Sequence, residues 1–259
     1  MDNELIAEMK DVRATLGEHI LADGFEPVMD LEKSHGSWLV DERDGSEYLD
    51  MFSMFASGAV GYNHPDILAK RDRLAISAQN KPTLSDVYNS YYADFMETFS
   101  NTAIPDYLPH TFFIEGGALG VENALKVAFD WKVRKNMSKG KGEKGSEIIH
   151  FNQAFHGRTG YTLSLTNTTD PRKTMYFPKF DWPRIINPKI SFPITDYVLE
   201  EVKKNEKLAV DQIKKAITDN PDDIAALIIE PIQGEGGDNH FRDEFFVALR
   251  QLCDENEML

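Results

Sequence analysis

Leu5, Met9, Val12 and Leu16 follow one another at spacings of four, three and four, one apolar stripe on an N-terminal helix. Short apolar or aromatic runs at 37–40 and 48–50 flank Arg43-Asp44-Gly45, and Asp-Gly between such runs predicts a hairpin. Pro65 opens a helix carrying Ile67, Arg71 and Leu74, since proline suits the first helical position. Tyr88, Tyr91, Tyr92, Phe95 and Phe99 recur at helical spacing and read as a core-packing face rather than a ligand site.

From Thr111 the pattern alternates. A strand is predicted over 111–114 and a helix from Ala118 to about Arg134, with Val121, Leu125, Ala128 and Phe129 inward. A polar, glycine-rich and solvated loop follows over 139–145, then a strand over 147–151. Val210, Ile213 and Ile217 mark another helix, residues 225–229 a buried strand, and Phe245, Leu249 and Leu252 a last helix from Phe241 to about Asn256. Strand–helix alternation implies an α/β domain with a mainly parallel sheet. The stretch Pro171–Pro193 is rich in prolines and aromatics but has no period, and reads as a long ordered loop.

Composition narrows the function classes. Hydrophobic residues at 41% and aromatics at 11% are enough for a globular core. A net charge of -15 argues against nucleic acid or an anionic membrane as the main partner, because both call for a basic face. Cys253 is the single cysteine, so no intrachain disulfide can form. The acidic start Met1-Asp2-Asn3-Glu4 does not resemble a signal peptide, and no run approaches the ~20 apolar residues of a membrane span. A cytoplasmic setting is the expectation.

Three segments could carry chemistry. In Phe112 to Lys126 an apolar run meets Gly116-Gly117-Ala118 and then a helix. The turn either binds a phosphate through the N–H groups of Gly117 and Ala118, or simply joins two elements. It matches neither the dinucleotide-binding nor the P-loop pattern. Asn152 to Gly160 follows a strand, where α/β sheets bind ligands. There Phe155 either stacks on a planar cofactor or packs in the core, and Arg158 either clamps a carboxylate or makes a surface ion pair. Glu230 to Gly237 offers either solvated glutamates or a mobile carboxylate. No nucleophile elbow or H-E-x-x-H is present, the histidines show no metal-ligand spacing, and His64 reads as a turn residue.

In this order the three segments resemble the class III pyridoxal-phosphate aminotransferases of fold type I. Gly61-Tyr62-Asn63-His64-Pro65 and the Asp44-Gly45 hairpin look like that family's N-terminal region, so the likeness covers essentially the whole chain. It implies a small-domain segment over 1–65 and, over 66–259, the N-terminal part of the large domain with an incomplete, mainly parallel sheet. It implies pyridoxal 5'-phosphate as cofactor, with Gly117 and Ala118 on its phosphate, Phe155 on its ring and Glu230 nearby. Residues 112–126, 154–162 and 165–168 are similar to members that act on the ε-amino group of L-lysine. This implies L-lysine and 2-oxoglutarate as substrates, Arg158 on their α-carboxylate and Glu235 as a carboxylate that covers or uncovers a second arginine. Residues 52–60 would line the substrate pocket, in a homodimer.

The sequence departs from the family in one respect. The aspartate that meets the pyridine nitrogen, the Schiff-base lysine and the masked arginine come later in the family's chain, and no residue here matches them. The expectation is a truncated, N-terminal part of an aminotransferase that does not transaminate alone, with exposed sheet edges beside 111–114. A non-catalytic, phosphate-binding remnant and a class III enzyme for ornithine or 4-aminobutyrate stay open as alternatives.

Overall fold

The run Glu147–Phe151 forms strand β3 of a computed structural model that describes residues 12–81 and 86–259. By internal contacts the chain divides into two compact units, Met1–Pro109 and His110–Leu259. This division differs in kind from the 65/66 boundary expected of the family's two domains.

In the first unit, helix α1 spans Val12–Gly17, while Leu5 and Met9 of the predicted stripe lie outside the described residues. The hairpin forms as expected: β1 (Trp38–Val40) pairs antiparallel with β2 (Glu47–Leu49). Its turn is closed by buried Asp41, which accepts from the Arg43 backbone and guanidinium. That pairing holds the Asp41 carboxyl down at about 2. The helix predicted from Pro65 is two: α2 (Pro65–Leu68), capped by the His64 ring, and α3 (Arg71–Gln79).

Helix α4 spans Ser90–Thr102. It corrects the core-packing reading of the aromatic face. Tyr92, Phe95 and Phe99 stack along the helix, yet α4 contains no buried residue. Helical spacing puts the rings on one side, but spacing alone does not supply a surface to bury them.

The second unit has helices on both faces of a parallel sheet. Its elements are α5 (Gly117–Ser138), β3, α6 (Gly160–Leu165), β4 (Arg184–Ile185), α7 (Asp196–Asp219), β5 (Ile224–Leu227), β6 (Ile232–Gln233), β7 (Asn239–His240) and α8 (Asp243–Glu255). The sheet order is β4-β3-β5, both pairs parallel. Alternation along β3 divides the core. Ile148 packs with Leu125, Ala128 and Leu165 beneath α5 and α6; Ile149 and Phe151 pack with Ile213, Phe245 and Leu249 beneath α7 and α8.

Both faces of β3 are therefore buried, as in parallel sheets, and mainly apolar, with His150 the one fully buried polar side chain of the strand. The strand starts are aligned by Asp223, whose carboxylate accepts the N–H groups of Gly145 and Ser146 at 2.6 and 2.8 Å. Leu259 adds to the far edge of β5, donating to Ala225 and accepting from Leu227.

Three expectations change here. Residues 111–114 form no strand, and Phe112 is 73% exposed. A strand exists only by pairing, and among the described residues no segment pairs with 111–114. The 171–193 loop contains β4, which its prolines disguise. The 139–145 loop is tethered rather than simply solvated: Lys139 pairs with Glu257 and Lys141 with Asp222. No described helix is long and apolar enough to cross a membrane.

Candidate functional site

The start of α5 is shaped by Gly116, whose φ of +84° belongs to a region that L side chains rarely adopt. Gly120 donates to the Gly116 carbonyl, so the N–H groups of Gly117, Ala118 and Leu119 lie outside the helical ladder. A Cβ added at Gly116 or Gly117 would meet nothing within 4 Å. A 22-residue helix thus ends in open donors, an open approach and the positive end of its dipole, which together fit a phosphate monoester.

The second segment lies directly on this turn. A Cβ at Gly157, where φ is +123°, would stand 2.6 Å from the Ala118 Cβ. Only glycine lets the 152–160 loop approach that closely. Thr159 caps α6 in a reciprocal pair with Thr162. Phe155 is half-buried and Arg158 exposed. Among the described residues Arg158 makes no hydrogen bond or ion pair, so its guanidinium is free for an anion.

The third segment is tied to the second. The Glu230 carboxylate accepts the Phe155 backbone N–H at 2.8 Å. A Cβ at Gly236 would collide with the Gln153 carbonyl oxygen. Behind both loops lies a buried amide cluster. Asn187 donates to Gln153 and Gln233, Gln233 donates to the Asn152 carbonyl, and Asn239 donates to Gln233. Gln233 is fully buried, so these bonds hold the two loops in one arrangement.

Glu235 accepts from Thr168 at 2.6 Å and from Lys173 at 2.7 Å. Burial would raise its carboxyl, but these two bonds outweigh it and hold the group below its ordinary value. The same Lys173 ammonium stands 5.9 Å from the centre of the Phe155 ring. At Glu230 burial dominates and pushes the carboxyl up, with Glu235 adding repulsion against the Phe155 hydrogen bond. Burial also lowers His150 and His156 to about 4, leaving both neutral.

A class III aminotransferase family model matches residues 21–259. The chain belongs to the class III aminotransferases. It is 46% identical over 255 residues to L-lysine-epsilon aminotransferase of Amycolatopsis lactamdurans, covering 97% of this chain and 56% of that protein. It is 49% identical over 252 residues to the Mycobacterium tuberculosis H37Rv protein of that name, covering 96% and 55%. Among solved structures, lysine aminotransferase from M. tuberculosis in the internal aldimine form superposes with a TM-score of 0.90 at 49% identity, over 96% of this chain and 57% of that one. The chain thus spans about half the length of the relatives it matches. The fold is that of pyridoxal-phosphate aminotransferases of fold type I, and pyridoxal 5'-phosphate is the class III cofactor.

All six residues singled out in the sequence, Gly117, Ala118, Phe155, Arg158, Glu230 and Glu235, lie in these three joined segments. Sequence reasoning missed Lys173, Gln233, Asn187 and Asn239, which have no periodic or motif signal. It also missed Glu122, although that residue is four after Ala118 and so shares its helix face.

Proposed function

We propose that this chain provides the phosphate-, ring- and carboxylate-binding part of an aminotransferase that moves the ε-amino group of L-lysine to 2-oxoglutarate, giving 2-aminoadipate 6-semialdehyde and L-glutamate. One observation carries the reading: the phosphate-type turn, the Phe155–Arg158 loop and the Glu230–Glu235 loop touch one another through Gly157, Glu230 and Gly236. The likeness to L-lysine-epsilon aminotransferases supports the substrate.

In this reading Gly117 and Ala118 hold the cofactor phosphate and Phe155 covers one face of its ring. When bound, the cofactor supplies the electron sink that lets a proton leave the carbon bearing the amino group. Arg158 takes the substrate α-carboxylate in a two-point pair. Glu235 tells a distal ammonium from a distal carboxylate by where its own charge rests, on Lys173 or toward the substrate. A homodimer and a cytoplasmic setting belong to the same proposal, the latter resting on the acidic balance and the single cysteine.

No lysine here matches the family's Schiff-base lysine, so the 259 residues are proposed to bind cofactor without turnover. The purified chain is titrated with pyridoxine 5'-phosphate, which carries phosphate and ring but no aldehyde, and in a separate experiment is supplied with pyridoxal 5'-phosphate and assayed for glutamate made from lysine and 2-oxoglutarate. Binding without glutamate is expected. Absence of binding overturns the cofactor site, and lysine-dependent glutamate overturns the inactivity.

A further inference from the structure

The strongest tie between the α5 start and the Phe155–Arg158 loop is a side chain on neither turn. Glu122 lies on α5, one helical turn past Ala118. Its Oε2 accepts the Thr159 hydroxyl at 2.8 Å and the N–H groups of Tyr161 and Thr162 at 3.1 and 3.3 Å. Its Oε1 also accepts from Tyr161, at 3.2 Å. A Cβ at Gly160 would stand 3.3 Å from that same oxygen. A carboxylate is thus seated on the first turn of α6, where unpaired N–H groups favour negative charge.

We propose that Glu122 is a positioning residue of the cofactor site: its carboxylate fixes residues 155–162 against the start of α5, setting Phe155 and Arg158 in register with Gly117 and Ala118. This rests on the reading of the α5 start as the phosphate site. The geometry favours a clamp over an ordinary surface glutamate. One carboxylate gathers three donors from a single neighbouring segment, and glycines at 157 and 160 keep the approach close.

Charge and shape both matter. Glutamine offers one acceptor oxygen and turns an NH2 toward backbone N–H donors, so it cannot replace the carboxylate. Aspartate keeps the charge but falls one methylene short.

The test compares E122Q, E122D and E122A with the unsubstituted 259-residue chain by pyridoxine 5'-phosphate affinity and amide exchange. Ile213→Ala, in the opposite core, serves as a control for general destabilisation. Expected are affinity about tenfold weaker in E122Q, a smaller loss in E122D, and faster exchange confined to 155–165. The control keeps its affinity despite a lower Tm. Affinity in E122Q equal to the unsubstituted chain, or an equal loss in the control, overturns the proposal. Should the unsubstituted chain take up no pyridoxine 5'-phosphate, the functional reading fails and exchange alone decides the clamp: unchanged exchange over 155–165 in E122Q overturns it.

Discussion

The carboxylate of Glu230, just past β5, holds the backbone N–H of Phe155, just past β3, at 2.8 Å. Two neighbouring parallel strands are thereby joined where their chains leave the sheet, which is where α/β folds place ligands. Glu230→Ala strands that N–H without an acceptor and is expected to cost ~1–3 kcal/mol. Glu230→Gln keeps an acceptor and loses less. Chemical denaturation of both variants checks the order. Because burial raises the Glu230 carboxyl, its ionised form is a burden in the folded state at neutral pH. That burden is lifted as pH falls through the raised value, so the gap between Glu230→Gln and the unsubstituted chain changes over that window.

Gly157→Ala tests the contact with Ala118. The added methyl meets the Ala118 Cβ at 2.6 Å and must sit at a φ of +123°. Overpacking and backbone strain each cost ~1–3 kcal/mol, so a Tm loss of many degrees is expected. Pyridoxine 5'-phosphate affinity falls with it. A second change, Ala118→Gly, removes the 2.6 Å contact but leaves Thr162 Oγ1 at 2.8 Å, the residue-118 Cα at 3.0 Å and the backbone strain, and so recovers only part of the loss.

His150 and His156 make the fold sensitive to mild acid. Their folded values near 4 lie below the ordinary ~6.5, so between those values the unfolded chain binds more protons. Stability falls as pH drops through that window, by up to about 3 kcal/mol per histidine. His156→Asn removes one titrating group. Its Tm is expected to decline less than that of the unsubstituted chain between pH 6.5 and 4, whatever its value at pH 7.

Lys173→Met leaves Glu235 with Thr168 alone. Burial then outweighs what remains and the Glu235 carboxyl rises, read by carbon NMR titration. With Lys173 present the lowered carboxyl stabilises the fold above the ordinary carboxylate range. That contribution disappears as pH falls through the lowered value. The stability difference between the two proteins is therefore expected at neutral pH and to close in acid. An unmoved Glu235 titration would remove Lys173 from the account of this site.

Legibility in the sequence followed locality. The helices under Val121–Phe129 and Phe245–Leu252 and the strands at 147–151 and 224–227 are written in periods and apolar runs that a few residues display, although the apolar run at 225–229 outlasts its strand by two residues. The strand expected at 111–114 failed because pairing is a property of two segments, and no described segment lies beside it as a partner. The two-residue β4 escaped notice because Pro183 and Pro188 flank it. In the site, the three segments were visible as motifs, but their joints were not. Glu230 and Phe155 are 75 positions apart, and Glu122 and Thr162 are 40 apart. Nothing in either local pattern announces the other.

Asp223 has a role that its place at the start of β5 conceals. In a half-exposed strand, alternation of polar and apolar side chains penalises a one-residue slip. β3 is buried on both faces and carries Ile148, Ile149 and Phe151 across them, so a slipped ladder would still bury oily side chains, with His150 the one fully buried polar side chain. The three bonds that Asp223 takes from Gly145 and Ser146 supply the missing penalty, because a slip would break all of them at once. A carboxylate at one end of the sheet thus anchors the two strands whose other ends release Phe155 and Glu230, and the ladder's one register shift, between Glu147 and Ile148, lies next to that anchor.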